Sequence, residues 1–339
     1  MRITLLLLLV LATTARAANS EAVLLQGKAQ GTTWHIKFVR PSAKFEADAL
    51  QAAIEEKLAE IDRQMSTYRL DSEISRFNRA PAGEWFGVSP AVVEVVEAAR
   101  AISEKTGGAQ DVTVGPLVRL WHFGPKDGKK AGFHPPTDRE IAAARERVGY
   151  KKLETRSQPP ALRKQVDGLE VDLSSIASGY TIDRLADIMR DHGVKNFLVE
   201  LGGELRAAGT RADGTPWRVA IERPLADKRE MEAAVPLVDA AMATAGGSRH
   251  FFEYDGKQYS HIIDPATGRP VTHTLASVTV AADKCVDADG WDTPLTVLGP
   301  ERGSECAERN GIAAMFVSHT AGGDEVRTTS AWRKRFGEK

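Results

Sequence analysis

Between residues 196 and 282 the chain reads as strands in close succession: "NFLVEL", "PWRVAIERP", "AMATAG", "RHFFEYDGKQYSHII" and "LASVTVAA", with Asp255-Gly256 marking a hairpin turn. A long, mostly helical stretch precedes this block. Helices and strands are therefore partly segregated, not alternating as a doubly wound parallel sheet requires, and the order predicts an α+β fold with mixed sheets and flanking helices. Apolar spacing and breakers predict helices over 43–64, from Ser89-Pro90 to just before Gly107-Gly108, over 176–192, over 284–298 and over 301–310. "TDRE" at 137–140 is a capping box opening another. "TTWHIKFV" (32–39) is the first predicted strand and "IAAMFVS" the last. No linker rich in proline, glycine or serine divides the chain, so residues 19–339 are expected to form one large domain, as one mass or two lobes.

Residues 1–18, "MRITLLLLLVLATTARAA", carry one early arginine, an apolar run and small residues ending in Ala-Arg-Ala. That three-part layout predicts a cleaved secretory signal, too short for a membrane span, and no cysteine follows it for lipid attachment. A soluble, exported, periplasmic protein is expected. Export permits a disulfide between Cys285 and Cys306, and two buried thiols fit equally well. Forty-five basic against 46 acidic side chains provide no basic field for a nucleic acid. The fingerprints of dinucleotide-binding, phosphate-loop and serine-hydrolase sites are missing, as is the His-Glu-x-x-His zinc pattern.

Four clusters remain. In "MSTYRLDSEISRFN" (65–78), Tyr68 is either a stacking platform for a planar ring or a core tyrosine packing a turn. In "GGAQDVTVGPLVRLWHFGP" (107–125), Asp111 follows a double glycine, and it is either a ligand contact or a helix cap. "VDLSSIASGYTIDRLAD" (171–187) runs from a strand ending at Asp172 through Ser174, Ser175 and Ser178 into a helix. That helix start could receive a phosphate or simply be capped by Ser174 or Ser175. In "YSHIIDPATGRPV" (259–271), His261 is a candidate proton acceptor or a structural histidine. Downstream, "DADGWDTPL" places Asp289, Asp292 and Thr293 at i, i+3 and i+4 on one helical face. Such oxygen-only donors suit a hard cation such as Mg²⁺, although an acidic helix start explains the same spacing.

Taken in order, these clusters together with "GTTWHIKF", "VELGGELRAAG" and "PWRVAIERP" resemble the FAD:protein FMN transferases of the ApbE family over nearly the whole chain. The resemblance implies FAD as substrate, Mg²⁺ on its pyrophosphate, and attachment of FMN through a phosphodiester to a threonine of an acceptor flavoprotein, with AMP released. It implies that acceptors are exported flavoproteins of respiratory or electron-transfer complexes. Carried across by position, Tyr68 would stack on the flavin, and Ala109, Gln110, Asp111, Asp172, Ser178 and Ile263 would line the FAD site. Asp289, Asp292 and Thr293, with Ser175, would hold the metal. A threonine hydroxyl is a weak nucleophile that needs a nearby base, and His261 is the candidate, with a metal-site aspartate as the alternative. The chain departs from the family pattern at Gln30, Val112, Ser178 and Ala245–Ser248. A metal-dependent FAD pyrophosphatase and an exported flavin carrier are the alternative readings.

Overall fold

A computed structural model describes residues 22–124, 133–223, 230–246 and 251–337. The expected signal at 1–18 lies outside the described residues, as do Gly247 and Ser248. Eight strands form the central sheet: β1 (Ala22–Ala29), β2 (Thr32–Val39), β3 (Phe197–Leu201), β4 (Glu204–Ala208), β5 (Ala240–Gly246), β6 (Leu275–Ala282), β7 (Ala313–Thr320) and β8 (Gly323–Thr328). They lie side by side in chain order, each antiparallel to the next. Helices and sheets mix as expected, but every pairing between named strands among the described residues is antiparallel. The long connections are excursions that return to the neighbouring position, so no crossover to a parallel strand is needed.

The excursion between β2 and β3 carries most of the helices: α1 (Ala47–Met65), α2 (Glu73–Arg79), α3 (Pro90–Thr106), α4 (Gly115–Leu120), α5 (Asp138–Arg145) and α6 (Ala177–Asp191). A further helix, α7 (Cys285–Arg309), joins β6 to β7, and α8 (Ser330–Phe336) follows β8. Period-two alternation assigns the sheet's two faces. From β7, Ala314 and Phe316 pack in the helical core with residues of α3 and α7. Ala313, Met315 and Val317 pack on the other face beneath the hairpin of Trp217–Arg223 and Glu230–Leu237, together with Trp332 of α8. A central strand covered on both faces should be apolar throughout, and β6 ("LASVTVAA") is buried over all but its last residue.

The capping box at Thr137 and Glu140 is present, and Asp255-Gly256, both with positive φ, closes the hairpin of Phe251–Tyr254 and Lys257–Ser260. α7 is the two predicted helices joined end to end, broken at Gly299, where φ 80° and ψ −179° leave helical space. Cys285 and Cys306 are separate buried thiols, the first donating to the Leu205 carbonyl at 3.6 Å and the second to that of Lys105 at 3.9 Å. Three expectations of detail differ. α1 starts at Ala47, α6 starts at Ala177 without a serine cap, and no strand ends at Asp172, where 171–173 run as loop after a lone bridge from Glu170 to Val114.

Candidate active site

A cleft of about 1000 Å³ opens where the helical layer meets the ends of β3, β4 and β5. Eleven of the twelve residues singled out from sequence line it: all but Ser178. They come from five separate chain segments, which the fold alone brings together.

α7 supplies the acidic wall. Asp289 and Asp292 are buried at 4% and 2% exposure, and Thr293 beside them is half-buried, so the one-face reading of the spacing holds in the structure. Asp287 faces solvent and Trp291 packs in the core. Asp289 Oδ2 accepts the Gly179 amide at 2.7 Å, and Asp292 Oδ1 accepts the Thr293 hydroxyl at 3.1 Å. Burial pushes the Asp289 carboxyl up to about 7, against the smaller opposing pull of the Gly179 amide. Burial, then the charges of Asp289 and Glu204, drive Asp292 well above the usual carboxylate range. Glu204, at the start of β4, is pushed up to about 8 by withdrawal from water and by Asp289. Three acids that cannot all ionise side by side are a site for positive charge. Among the described residues no three His, Cys, Asp or Glu side chains are already drawn together as a metal cage. Two aspartates with neighbouring hydroxyls fit a hard cation that takes its remaining ligands from water and a phosphate-bearing substrate.

The second wall is the turn before α6. Neither Ser174 nor Ser175 caps that helix. Ser174 is drawn back to Asp172 Oδ1, its amide at 2.9 Å and its hydroxyl at 2.5 Å, and Ser175 Oγ accepts from Gln110 Nε2 at 3.0 Å. The third amide of α6, the one an N-cap side chain usually takes, goes instead to Asp289 from α7. Gly179 therefore faces α7. Successive helical residues turn about 100° apart, which carries Ser178 off the cleft wall.

Asp111 is not a helix cap, since Val114 holds that position in α4. Its Oδ1 accepts the amide and hydroxyl of Thr113, and its Oδ2 accepts the Tyr150 amide at 2.9 Å. Both oxygens are thus engaged in shaping the loop that presents Ala109 and Gln110. Tyr68 is 71% exposed on the segment between α1 and α2, its ring available to a ligand. Partial shielding, and then the Asp172 carboxylate, raise its phenol. The helix that follows it, α2, is tied to the stretch before Asp172 by Asn78, which donates to the Val171 carbonyl at 2.8 Å and accepts the Val171 amide at 2.7 Å.

The far wall is aromatic. His261 stands edge-on to Phe123 with ring centroids 6.2 Å apart, and Phe123 packs on Phe252 at 4.7 Å. Trp121 stacks on Tyr259 and donates its indole N–H to the Gly268 carbonyl, fixing the turn that follows Ile263. Glu204, Asp183 and Arg206 were not singled out from sequence. For Glu204 a signal existed: "VELGGEL" sets two acids around Gly202-Gly203, both with left-handed φ, at a hairpin tip.

An α+β sheet opening onto a cleft with an acidic end and an aromatic end defines an enzyme of the transferase class when the comparisons are added. The model of the ApbE family matches residues 30–316, and the chain belongs to that family. A relative from Vibrio cholerae named FAD:protein FMN transferase is 43% identical over 314 residues, covering 93% of this chain and 92% of its own. The solved flavin transferase ApbE from Vibrio cholerae superposes with a TM-score of 0.85 at 42% identity, covering 94% of this chain and 99% of that one. The apo form of the Pseudomonas stutzeri flavinyl transferase ApbE gives 0.86 at 39% identity, covering 94% and 98%.

Proposed function

We propose that this enzyme transfers FMN from FAD to a threonine hydroxyl of an exported acceptor flavoprotein, releasing AMP, with Mg²⁺ held by Asp289, Asp292, Thr293 and Ser175. The observation that carries the reading is the desolvated acid cluster at one end of a cleft whose other wall presents the exposed ring of Tyr68. A bound Mg²⁺ supplies positive charge to the phosphate oxygens. The chain's own groups do the positioning. Tyr68 offers a face to the isoalloxazine, the Gln110–Ser175 bond orients the serine hydroxyl, and the Gly179 amide holds Asp289 so that its other oxygen is turned to the ligand. The threonine oxygen bonds to the phosphorus of the FMN half as the bond from that phosphorus to the bridging oxygen breaks. The bridging oxygen leaves with AMP, and the threonine proton passes to the imidazole of His261. Residues 1–18 are proposed to direct export, which places the reaction in the periplasm.

Incubating the protein with FAD, Mg²⁺ and an acceptor domain tests this. Covalent flavin fluorescence on the acceptor is the expected result. Free FMN and AMP with no labelled acceptor mark a pyrophosphatase, and unchanged FAD sinks both enzymatic readings in favour of a carrier. Tyr68→Ala should raise KM for FAD about ten- to hundredfold, the range for losing one stacking platform. Tyr68→Phe, which keeps the ring, should stay near wild type. An equal defect in both variants would show that stacking is not the role of this residue.

The acid cluster also sets a pH dependence. The folded carboxyls of Asp289 and Glu204, at about 7 and about 8, stand above their ordinary values of 3.8 and 4.5. The folded cation-free protein therefore binds more protons than the unfolded chain between about pH 4 and pH 8, and its stability falls as pH rises through that window. The melting temperature without metal should drop from pH 5 to pH 8, and added Mg²⁺ should raise it more at pH 8 than at pH 5. A flat profile in both conditions would contradict the assignment.

A further inference from the structure

We propose that Asp183 is a positioning residue for the cation-binding aspartates, acting on them through the first turn of α7. This rests on reading Asp289 and Asp292 as the cation pair. Asp183 belongs to the middle of α6, where an aspartate ordinarily faces water, yet it is 2% exposed. Its two oxygens are spent on another helix: Oδ1 accepts the Cys285 amide at 2.9 Å and Oδ2 the Val286 amide at 3.0 Å. Those are the first two amides of α7, whose own N-cap residue, Lys284, makes no side-chain cap bond. Arg206 of β4 completes the arrangement with a guanidinium bond to Asp183 Oδ1.

The arrangement is reciprocal. α6 gives the carboxylate of Asp183 to the start of α7, and α7 returns the carboxylate of Asp289 to the Gly179 amide at the start of α6. Gly179 and Asp183 are one turn apart on α6, as are Cys285 and Asp289 on α7, so the two exchanges lock both the separation and the register of the helices. The separation is at its lower limit, for a Cβ at residue 179 would stand 2.3 Å from the Cys285 carbonyl oxygen. Asp289 and Asp292 follow the anchored turn directly, so the point at which their oxygens enter the cleft is set by where Asp183 holds residues 285 and 286. Arg206 balances the charge of the buried Asp183 carboxylate.

The test is Mn²⁺ binding to the full chain, followed by the electron paramagnetic resonance of free Mn²⁺, with Asp183→Asn and Asp292→Ala beside wild type. Asp183→Asn keeps one acceptor but turns a donor toward an amide. It should weaken Mn²⁺ about 10- to 100-fold, the usual range for groups that orient metal ligands. Its activity should recover as Mg²⁺ is raised, with KM for FAD at saturating Mg²⁺ unchanged, a response that a general folding defect does not give. Wild-type Mn²⁺ affinity in Asp183→Asn, with binding lost in Asp292→Ala, overturns the positioning role and leaves the cation site standing. Wild-type affinity in Asp292→Ala overturns the cation reading and this inference with it. If Asp183→Asn does not fold, Arg206→Gln decides: weaker Mn²⁺ binding is expected, and unchanged affinity overturns the role.

Discussion

Asp289→Ala should lower flavin transfer by about 100- to 1000-fold, the scale on which loss of one preorganised charge-stabilising group acts. The substitution removes a proposed cation ligand and leaves the Gly179 amide without its acceptor. The protein should nonetheless stay folded, because the deleted carboxyl is costly to bury and its proton affinity is already raised. The decisive pair of measurements is the initial rate of acceptor labelling and the circular dichroism melt. Near-normal rates in a folded variant would remove Asp289 from the site.

Gly179→Ala should produce the largest loss of stability from a single methyl group, about 3 kcal/mol, at the upper end of overpacking costs. The added Cβ would meet the Cys285 carbonyl oxygen at 2.3 Å and Asp289 Cβ at 2.7 Å. Backbone atoms cannot rotate aside as a flexible side chain can, so α6 and α7 must separate. Separation lengthens the bonds from Gly179 to Asp289 and from Asp183 to residues 285 and 286 at once, and transfer activity should fall with stability. Urea unfolding checks the first effect, and a midpoint equal to wild type would show that the helices tolerate more room than their packing implies.

How far the sequence could be read follows from where each signal lives. The acids of α7 were legible because i, i+3, i+4 spacing is a property of one helix and survives any tertiary context. Capping boxes and Asp-Gly hairpins are equally local. β1 escaped notice because it lies at the sheet edge, with only Leu25 buried among its residues, so no alternation marks it. β8 is exposed through its first five positions for the same reason, and α2, at seven residues, is too short to show a period. Ser174 and Ser175 looked like helix caps, but Asp172 engages one, Gln110 the other, and the cap arrives from α7. Asp183 had no signal at all. An aspartate in mid-helix reads as a solvated position, and only the packing of α6 on α7 buries it.

The chain-order sheet has a consequence for how the molecule is assembled. β1 and β2 pair locally, but the next strand of the sheet begins at Phe197, beyond the whole helical excursion. During synthesis from the N-terminus, the hairpin must wait with one edge open until that partner is made, so early pairing is long-range and slow. α7 comes later still. A nascent or truncated chain can therefore carry the ring of Tyr68 and the loop of Asp111 without the acidic wall of the cleft. The cleft is therefore completed late and as a unit, when α7 packs against α6.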